Sequence, residues 1–286
     1  MRRYKKEQGG KLELGQILYT KSSKLVLDRE LCKGCHLCRL ACPRFAVRLN
    51  NAEDLNGKAS AAVVDIDESI CDFHGICSVV CPFNAIRIIV DGKDEAPAVI
   101  RAAFPELIRD ISVDSEKCEP GCRKCEEACP LDIVKVYESE GGTSVDIKKE
   151  FCAGCRICWD ACPAGAINVT KFIEGTASID SGACPDGCRR CLDVCPVDAL
   201  ALDGAGNVEV REMFCIYCGA CQQVCPAPGA LTVERAAIRH TPIKSGAWNK
   251  GLERMTSAEG LMRELAAERA GKKFDAIKNL IGGNNS

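Results

Sequence analysis

An α+β fold of three tandem two-motif domains with a helical C-terminal tail is what this sequence predicts, on three observations. First, its 23 cysteines form six groups of near-identical spacing: Cys32, Cys35, Cys38, Cys42; Cys71, Cys77, Cys81; Cys118, Cys122, Cys125, Cys129; Cys152, Cys155, Cys158, Cys162; Cys184, Cys188, Cys191, Cys195; and Cys215, Cys218, Cys221, Cys225. Second, every group ends in Cys-Pro, at Pro43, Pro82, Pro130, Pro163, Pro196 and Pro226. Third, the flanks repeat along with the cysteines, which marks a tandem architecture.

Taken in order, a short alternating stretch precedes each group: Lys24–Leu27, Ala62–Ile66, Asp110–Val113, Ser144–Ile147, Ala177–Ile179 and Val208–Val210. Another follows each Cys-Pro: Ala46–Leu49, Ala85–Val90, Ile133–Tyr137, Ala166–Val169, Ala199–Leu202 and Ala230–Val233. Alternation with Val and Ile argues strands, and the residues between the third and fourth cysteines fit one helical turn. Each unit therefore reads strand, cysteine loop, short helix, strand. Such a unit is too short to bury a stabilising core unaided. A bound metal group coupled to folding must supply the missing cohesion.

The spacing C-x2-C-x2-C-x3-C-P is the bacterial ferredoxin signature for a 4Fe–4S cluster. Three cysteines wrap a cubane from one tight loop, while the fourth ligates the partner motif's cluster in two-cluster ferredoxins. Six motifs then predict three two-cluster (2 × 4Fe–4S) ferredoxin-like domains. Groups three and five share an extra residue, in Cys118-Glu119-Pro120-Gly121-Cys122 and Cys184-Pro185-Asp186-Gly187-Cys188, whereas groups four and six do not. This alternation pairs three with four and five with six, leaving one with two. A nested pairing is the alternative.

The expected organisation is a basic arm over 1–24, domains over 25–100, 101–172 and 173–236, and a partner-docking tail over 237–286. Consecutive pairing predicts six iron–sulfur clusters. The first is held by Cys32, Cys35, Cys38 and Cys81, and the second by Cys71, His74, Cys77 and Cys42. The third has Cys118, Cys122, Cys125 and Cys162; the fourth has Cys152, Cys155, Cys158 and Cys129. The fifth has Cys184, Cys188, Cys191 and Cys225; the sixth has Cys215, Cys218, Cys221 and Cys195.

In the second group, histidine stands where the second cysteine belongs, in Cys71-Asp72-Phe73-His74-Gly75-Ile76-Cys77. Imidazole is a competent iron ligand and raises a cluster's potential. Ligation by His74, a 3Fe–4S cluster with an open corner, and an outer-shell His74 with Asp72 or solvent on the fourth iron are the three readings. Cys32-Lys33-Gly34-Cys35-His36 also matches a C-x-x-C-H heme attachment motif. A heme there would orphan Cys38 and Cys42, so His36 is expected to tune a cluster by hydrogen bonding.

Disulfides and zinc are the bland alternatives. No apolar signal segment follows Met-Arg-Arg-Tyr-Lys-Lys, so an exported disulfide scaffold is not expected. Zinc sites close with a CxxC pair from each of two loops. No apolar run reaches the length of a membrane span, and a reducing, anaerobic cytoplasm is the expected location. The formal charge of −2 becomes about −13 once six clusters are bound, which argues against nucleic acid as a partner.

Residues 1–24 carry seven Lys or Arg against two Glu and show no strong periodicity. They read as a solvated arm or one that docks on an acidic partner. In the tail, Thr256 and Glu259 suggest a capping box before Leu261, Met262 and Leu265. Phe274, Ile277 and Ile281 continue an amphipathic stretch after Gly271. An apolar helix of this kind needs a surface to lie on.

The chain resembles the polyferredoxin subunits of methanogenic archaea, most of all the polyferredoxin (F) subunit of formylmethanofuran dehydrogenase. The resemblance rests on Leu25-Val-Leu-Asp-Arg-Glu-Leu-Cys32, Cys71-Asp-Phe-His-Gly-Ile-Cys77, the linker Phe104-Pro-Glu-Leu-Ile-Arg109 and the tail His240-Thr-Pro-Ile-Lys-Ser245 with Trp248. It implies a subunit that conducts low-potential electrons to or from a tungsten or molybdenum site elsewhere in an oxidoreductase complex. The chain departs from the family pattern in its shorter array and in His74. Soluble ferredoxin, a hydrogenase and heterodisulfide reductase are alternative partners. No Rossmann fingerprint, P-loop or nucleophile elbow is present, so electron transfer without catalysis is the expected role. A redox enzyme binding substrate at the His74-bearing site, and an iron or electron store acting alone, are readings of other classes.

Overall fold

A computed structural model describes residues 1–50, 59–93, 104–139, 142–242, 245–257, 259, 262 and 266. The chain opens with β1 (Arg2–Gln8), β2 (Lys11–Ile17) and β3 (Ser22–Asp28). It continues through α1 (Leu37–Ala41), β4 (Val47–Asn50), β5 (Val63–Ile66), α2 (Ile76–Val79) and β6 (Ile86–Val90). A second run holds β7 (Ile111–Val113), α3 (Lys124–Glu127), β8 (Val134–Ser139), β9 (Gly142–Ile147), α4 (Ile157–Asp160) and β10 (Ile167–Val169). A third holds β11 (Ile173–Ile179), α5 (Arg190–Asp193), β12 (Leu200–Leu202), β13 (Val208–Val210), α6 (Ala220–Val224) and β14 (Leu231–Ile238). Helix α7 (Gly246–Thr256) follows.

The three runs share one topology. The first and last strands of each pair antiparallel, as β3–β6, β7–β10 and β11–β14, and the two inner strands pair as β4–β5, β8–β9 and β12–β13. Alternation buries one face of each strand. Leu25 and Leu27 lie opposite Ile88 and Ile86, and all four are buried. Closing the outer strands on each other folds the chain back at its midpoint and brings two cysteine loops face to face.

Residues 1–24 are not a free arm. They form a hairpin that adds β1 and β2 to the β3–β6 pair, giving a four-stranded sheet. Gly9 and Gly10, both with positive φ, make its two-residue turn, a strong hairpin signal. Leu12 and Leu14 are 1% and 0% exposed, an alternation of 2 set within basic residues. Those cations pair with the chain's own carboxylates: Lys5 with Asp65 at 2.6 Å, Lys6 with Glu13 at 3.1 Å and Lys24 with Glu13 at 3.4 Å. Gly15 is required, because a β-carbon there would lie 2.1 Å from the Tyr4 ring.

The start of the tail is also folded onto its own chain. Thr256 closes a helix: α7 begins after Ser245, whose Oγ accepts from Trp248 N–H, and the Thr256 hydroxyl donates to the Leu252 carbonyl, while Glu259, Met262 and Ala266 are again helical beyond the extended Ser257. Trp248 is fully buried. Gly251 sits against Ile76 and Ala41, where a β-carbon would come within 3.1 Å of Ile76 Cδ1. Arg254 donates to the carbonyls of Ala41 and Cys42. This stretch covers the first two motifs, where partner docking was expected. Met262 is exposed, whereas Leu261, Leu265, Gly271, Phe274, Ile277 and Ile281 lie outside the described residues.

Candidate metal centres

Local backbone conformation sets each cysteine loop. In groups one, four and six the residues two and four places after the first cysteine are left-handed: Gly34 and His36, Gly154 and Arg156, Tyr217 and Gly219. The second group repeats this with Phe73 and Gly75. His74 therefore stands at the backbone position of a second cysteine. A further left-handed residue follows each Cys-Pro, at Phe45, Asn84, Asp132, Gly165, Asp198 and Gly229. Outside glycine such angles are uncommon; their recurrence shows that the loops, and not only the cysteines, repeat.

These turns aim backbone N–H groups at sulfur. Ala85, Ala166 and Ala199 donate to the Sγ atoms of Cys81, Cys162 and Cys195 at 3.2–3.3 Å. Leu37, Ile157 and Ala220 donate to Cys35, Cys155 and Cys218. Such donors favour the thiolate form. Burial opposes it: the thiols of Cys71, Cys155 and Cys191 are pushed up to about 11, and those of Cys158 and Cys218 to about 12. Desolvation is the leading cause in each, and neighbouring cysteines add to it. Buried thiols gathered under N–H donors need bound positive charge to ionise, as a coordinated metal provides.

The thiols gather in five sets of four and one of three. Cys81 faces Cys32, Cys35 and Cys38; Cys42 faces Cys71 and Cys77. Cys162 lies by Cys118 and Cys125, and Cys129 by Cys152, Cys155 and Cys158. Cys225 lies by Cys184, itself beside Cys188 and Cys191. Cys195 faces Cys215, Cys218 and Cys221. In each case the last cysteine of one motif meets the leading cysteines of its partner. Three of these sets line pockets of closely similar size, so one kind of occupant suits all three. All 23 thiols are free. Among the described residues no three Cys, His, Asp or Glu side chains close on a point that would hold a lone metal ion; the sulfurs surround a space, as a polynuclear cluster needs.

At the odd site, His74 Nδ1 accepts the Ile76 N–H at 3.2 Å, the counterpart of the donors to Cys35, Cys155 and Cys218. Its Nε2 is buried without a hydrogen-bond partner and lies 3.6 Å from Asp72 Oδ1. Phe104 meets the ring edge-on, 6.0 Å between centroids. The linker carrying Phe104 is held by the tail segment, because Ile108 N–H donates to Arg239 O and Thr241 N–H to Glu106 O.

His36 does not take the expected role. Its Nδ1 has no hydrogen-bond partner, and the ring packs against Gly219 of the sixth motif, leaving no room there for a side chain. Burial, then the charges of Arg235 and Arg39, lowers its pKa to about 3, so the ring is neutral.

Arginines that the cysteine spacing does not reveal occupy the seams between domains. Arg235, 7% exposed, donates to Tyr217 O at 2.7 Å and Cys218 O at 2.9 Å. Its leading electrostatic neighbours are the sulfurs of Cys218 and, across the seam, Cys35. Arg109 donates to the carbonyls of Cys81, Pro82 and Cys152 and stacks on Phe172 at 4.7 Å. The signal for Arg235 was its place in β14, where Leu231, Val233 and Arg235 share the buried face. No comparable pattern marks Arg109.

The comparisons with known proteins agree with this geometry. The family described as "4Fe-4S dicluster domain" matches three times, over residues 31–85, 117–166 and 183–228, just over half of the chain. NADH-quinone oxidoreductase subunit I of Pelobacter propionicus is 35% identical over 63 residues, which are 21% of this chain and 34% of that protein; the chain spans about a third of that relative's length. A chain of the formate dehydrogenase, heterodisulfide reductase and formylmethanofuran dehydrogenase complex from Methanospirillum hungatei is similar in structure. The TM-score is 0.79 at 27% identity, over 90% of this chain and 92% of that one. Among the described residues no helix is long and apolar enough to cross a membrane. The chain belongs to the 4Fe-4S dicluster family, as an iron–sulfur electron-transfer subunit built from three copies of that domain.

Proposed function

We propose that the chain relays low-potential electrons through six iron–sulfur sites, for a partner enzyme of the formylmethanofuran dehydrogenase type. The observation that carries this reading is the repeated convergence of each motif's last cysteine on its partner's loop. On that basis Cys32, Cys35, Cys38 and Cys81 form the first site, and Cys71, His74, Cys77 and Cys42 the second. Cys118, Cys122, Cys125 and Cys162 form the third, and Cys152, Cys155, Cys158 and Cys129 the fourth. Cys184, Cys188, Cys191 and Cys225 form the fifth, and Cys215, Cys218, Cys221 and Cys195 the sixth. A bound 4Fe–4S cluster supplies one-electron chemistry at each site.

His74 Nδ1 is the donor that this reading assigns at the second site. It stands where a thiolate stands in the other loops and meets the same N–H. With Nδ1 on metal, Nε2 carries the ring proton toward Asp72, the carboxylate partner common to metal-bound histidines. Nδ1 has one lone pair, so metal competes there with the Ile76 N–H, whereas a thiolate serves both. A neutral donor raises the site's potential.

The charge neighbours support a branched layout. Cys35 of site one lies by Cys218 of site six, and Arg109 links Cys81 to Cys152 of site four. Lys171 has Cys215 and Cys155 among its neighbours. Sites one, four and six thus meet centrally, with two, three and five outside. The likeness to the Methanospirillum hungatei chain supports formylmethanofuran dehydrogenase as the partner, with heterodisulfide reductase second. The test is electron delivery in vitro from reduced, iron-loaded chain to each purified enzyme. Turnover with formylmethanofuran dehydrogenase is expected; turnover with heterodisulfide reductase alone reassigns the partner, and none with either refutes the relay.

A further inference from the structure

Among the described residues, the only charged side chains that are buried are Arg235 and Arg254. A buried charge is costly unless opposite charge meets it. For Arg235 the groups that would supply it, once ionised by bound metal, are sulfurs: Cys218, Cys35, Cys215 and Cys221. They belong to two different domains, and the guanidinium sits between them, fixed by its bonds to Tyr217 O and Cys218 O. Arg109 repeats the arrangement at the other seam. Its fork bonds the carbonyl of Cys81 on one side and that of Cys152 on the other, and the sulfurs of Cys152 and Cys81 are its leading electrostatic neighbours. At the outlying motifs the arginines stay within their own domains: Arg190 donates to Val224 O, and Arg123 pairs with Glu126.

We propose that Arg235 and Arg109 set the reduction potentials at the seams. Arg235 raises the electron affinity of sites one and six, and Arg109 that of sites one and four, so that electrons entering from any domain collect where the three domains meet. This deepens the reading above and rests on it. The physics is Coulombic: reduction adds a negative charge, and a fixed cation in a low-dielectric seam stabilises the reduced state. Salt screens Arg235 little, because it is buried, and the half-buried Arg109 somewhat more.

The test is an EPR-monitored redox titration of the full-length, iron-loaded chain. Arg235→Gln is expected to make two of the sites at least about tenfold harder to reduce, a shift of about 59 mV for one electron, leaving the others in place. Arg235→Lys, which keeps the charge, is expected to recover most of the shift. Arg109→Gln is expected to shift a pair that shares one site with the first. If Arg235→Gln carries full iron and titrates like the wild type, the proposal is overturned. If that variant loads poorly, Arg109→Gln decides, and unchanged midpoints there overturn it too. Wild-type chain that takes up no iron would instead refute the underlying site assignment.

Discussion

The site around Cys35 and the site around Cys184 share a motif family and differ in their surroundings. Cys35, Cys38 and Cys81 are 7–8% exposed. Cys184, Cys188 and Cys225 are only partly buried, as are Cys118, Cys122 and Cys162. Loop packing explains the contrast. A β-carbon on Gly34 would strike the Ala62 carbonyl at 2.5 Å, whereas one on Gly187 would meet nothing within 4 Å. The β1–β2 hairpin and α7 pack over the first domain, and Arg109 and Arg235 tie it to the others. The lesson is that spacing encodes ligation while tertiary packing encodes access and potential.

Removing a ligand should break the comparison most visibly. Cys81→Ala is expected to lose about four iron per chain and to lower the Tm of the whole protein, because its site lies at the meeting of three domains. Cys225→Ala should lose as much iron with a much smaller change in Tm. Equal Tm losses, read by calorimetry beside iron analysis, would show that the outlying site is as structural as the inner one.

Next in size is the latch. Trp248→Ala empties a fully buried aromatic position and should cost about 3–5 kcal/mol, measured by denaturant unfolding of the iron-loaded chain. Spectra of the second and third domains should be unaffected at low denaturant. A loss below about 1 kcal/mol would mean that α7 is only loosely seated.

Chelation sharpens the contrast kinetically. Sites three and five should surrender iron to a chelator first, and the inner sites last, as followed by EPR over time. Uniform loss would dissolve the distinction. The most local expected effect is at His74: His74→Cys should lower the potential of one site and leave the rest alone. A midpoint that does not move would argue against imidazole as its ligand.

The threefold dicluster repeat was legible because strands and cysteines recur in phase, and each side of a strand declares itself by alternation. The hairpin of residues 2–17 was hidden, although Leu12, Leu14 and Gly9-Gly10 carried it. Its basic residues find carboxylates such as Asp65 only in the folded chain, and net charge alone resembles a solvated arm. The tail misled for a similar reason. Thr256 offers a capping pattern, yet a further helix, α7, precedes it with Ser245 as its cap, and the surface α7 covers is made by distant Ile76 and Ala41. The cysteine groups were readable from local spacing. Arg109, Arg235 and the seat of His36 were not, because they depend on how separate domains pack.

Iron and acid-labile sulfide counted per chain, on protein purified without oxygen, tests the central claim most directly. The account predicts about 24 of each, with Mössbauer spectra of cubane clusters and one site distinct from the rest. Stoichiometric zinc with no sulfide, or 23 thiols that titrate as free, would contradict it.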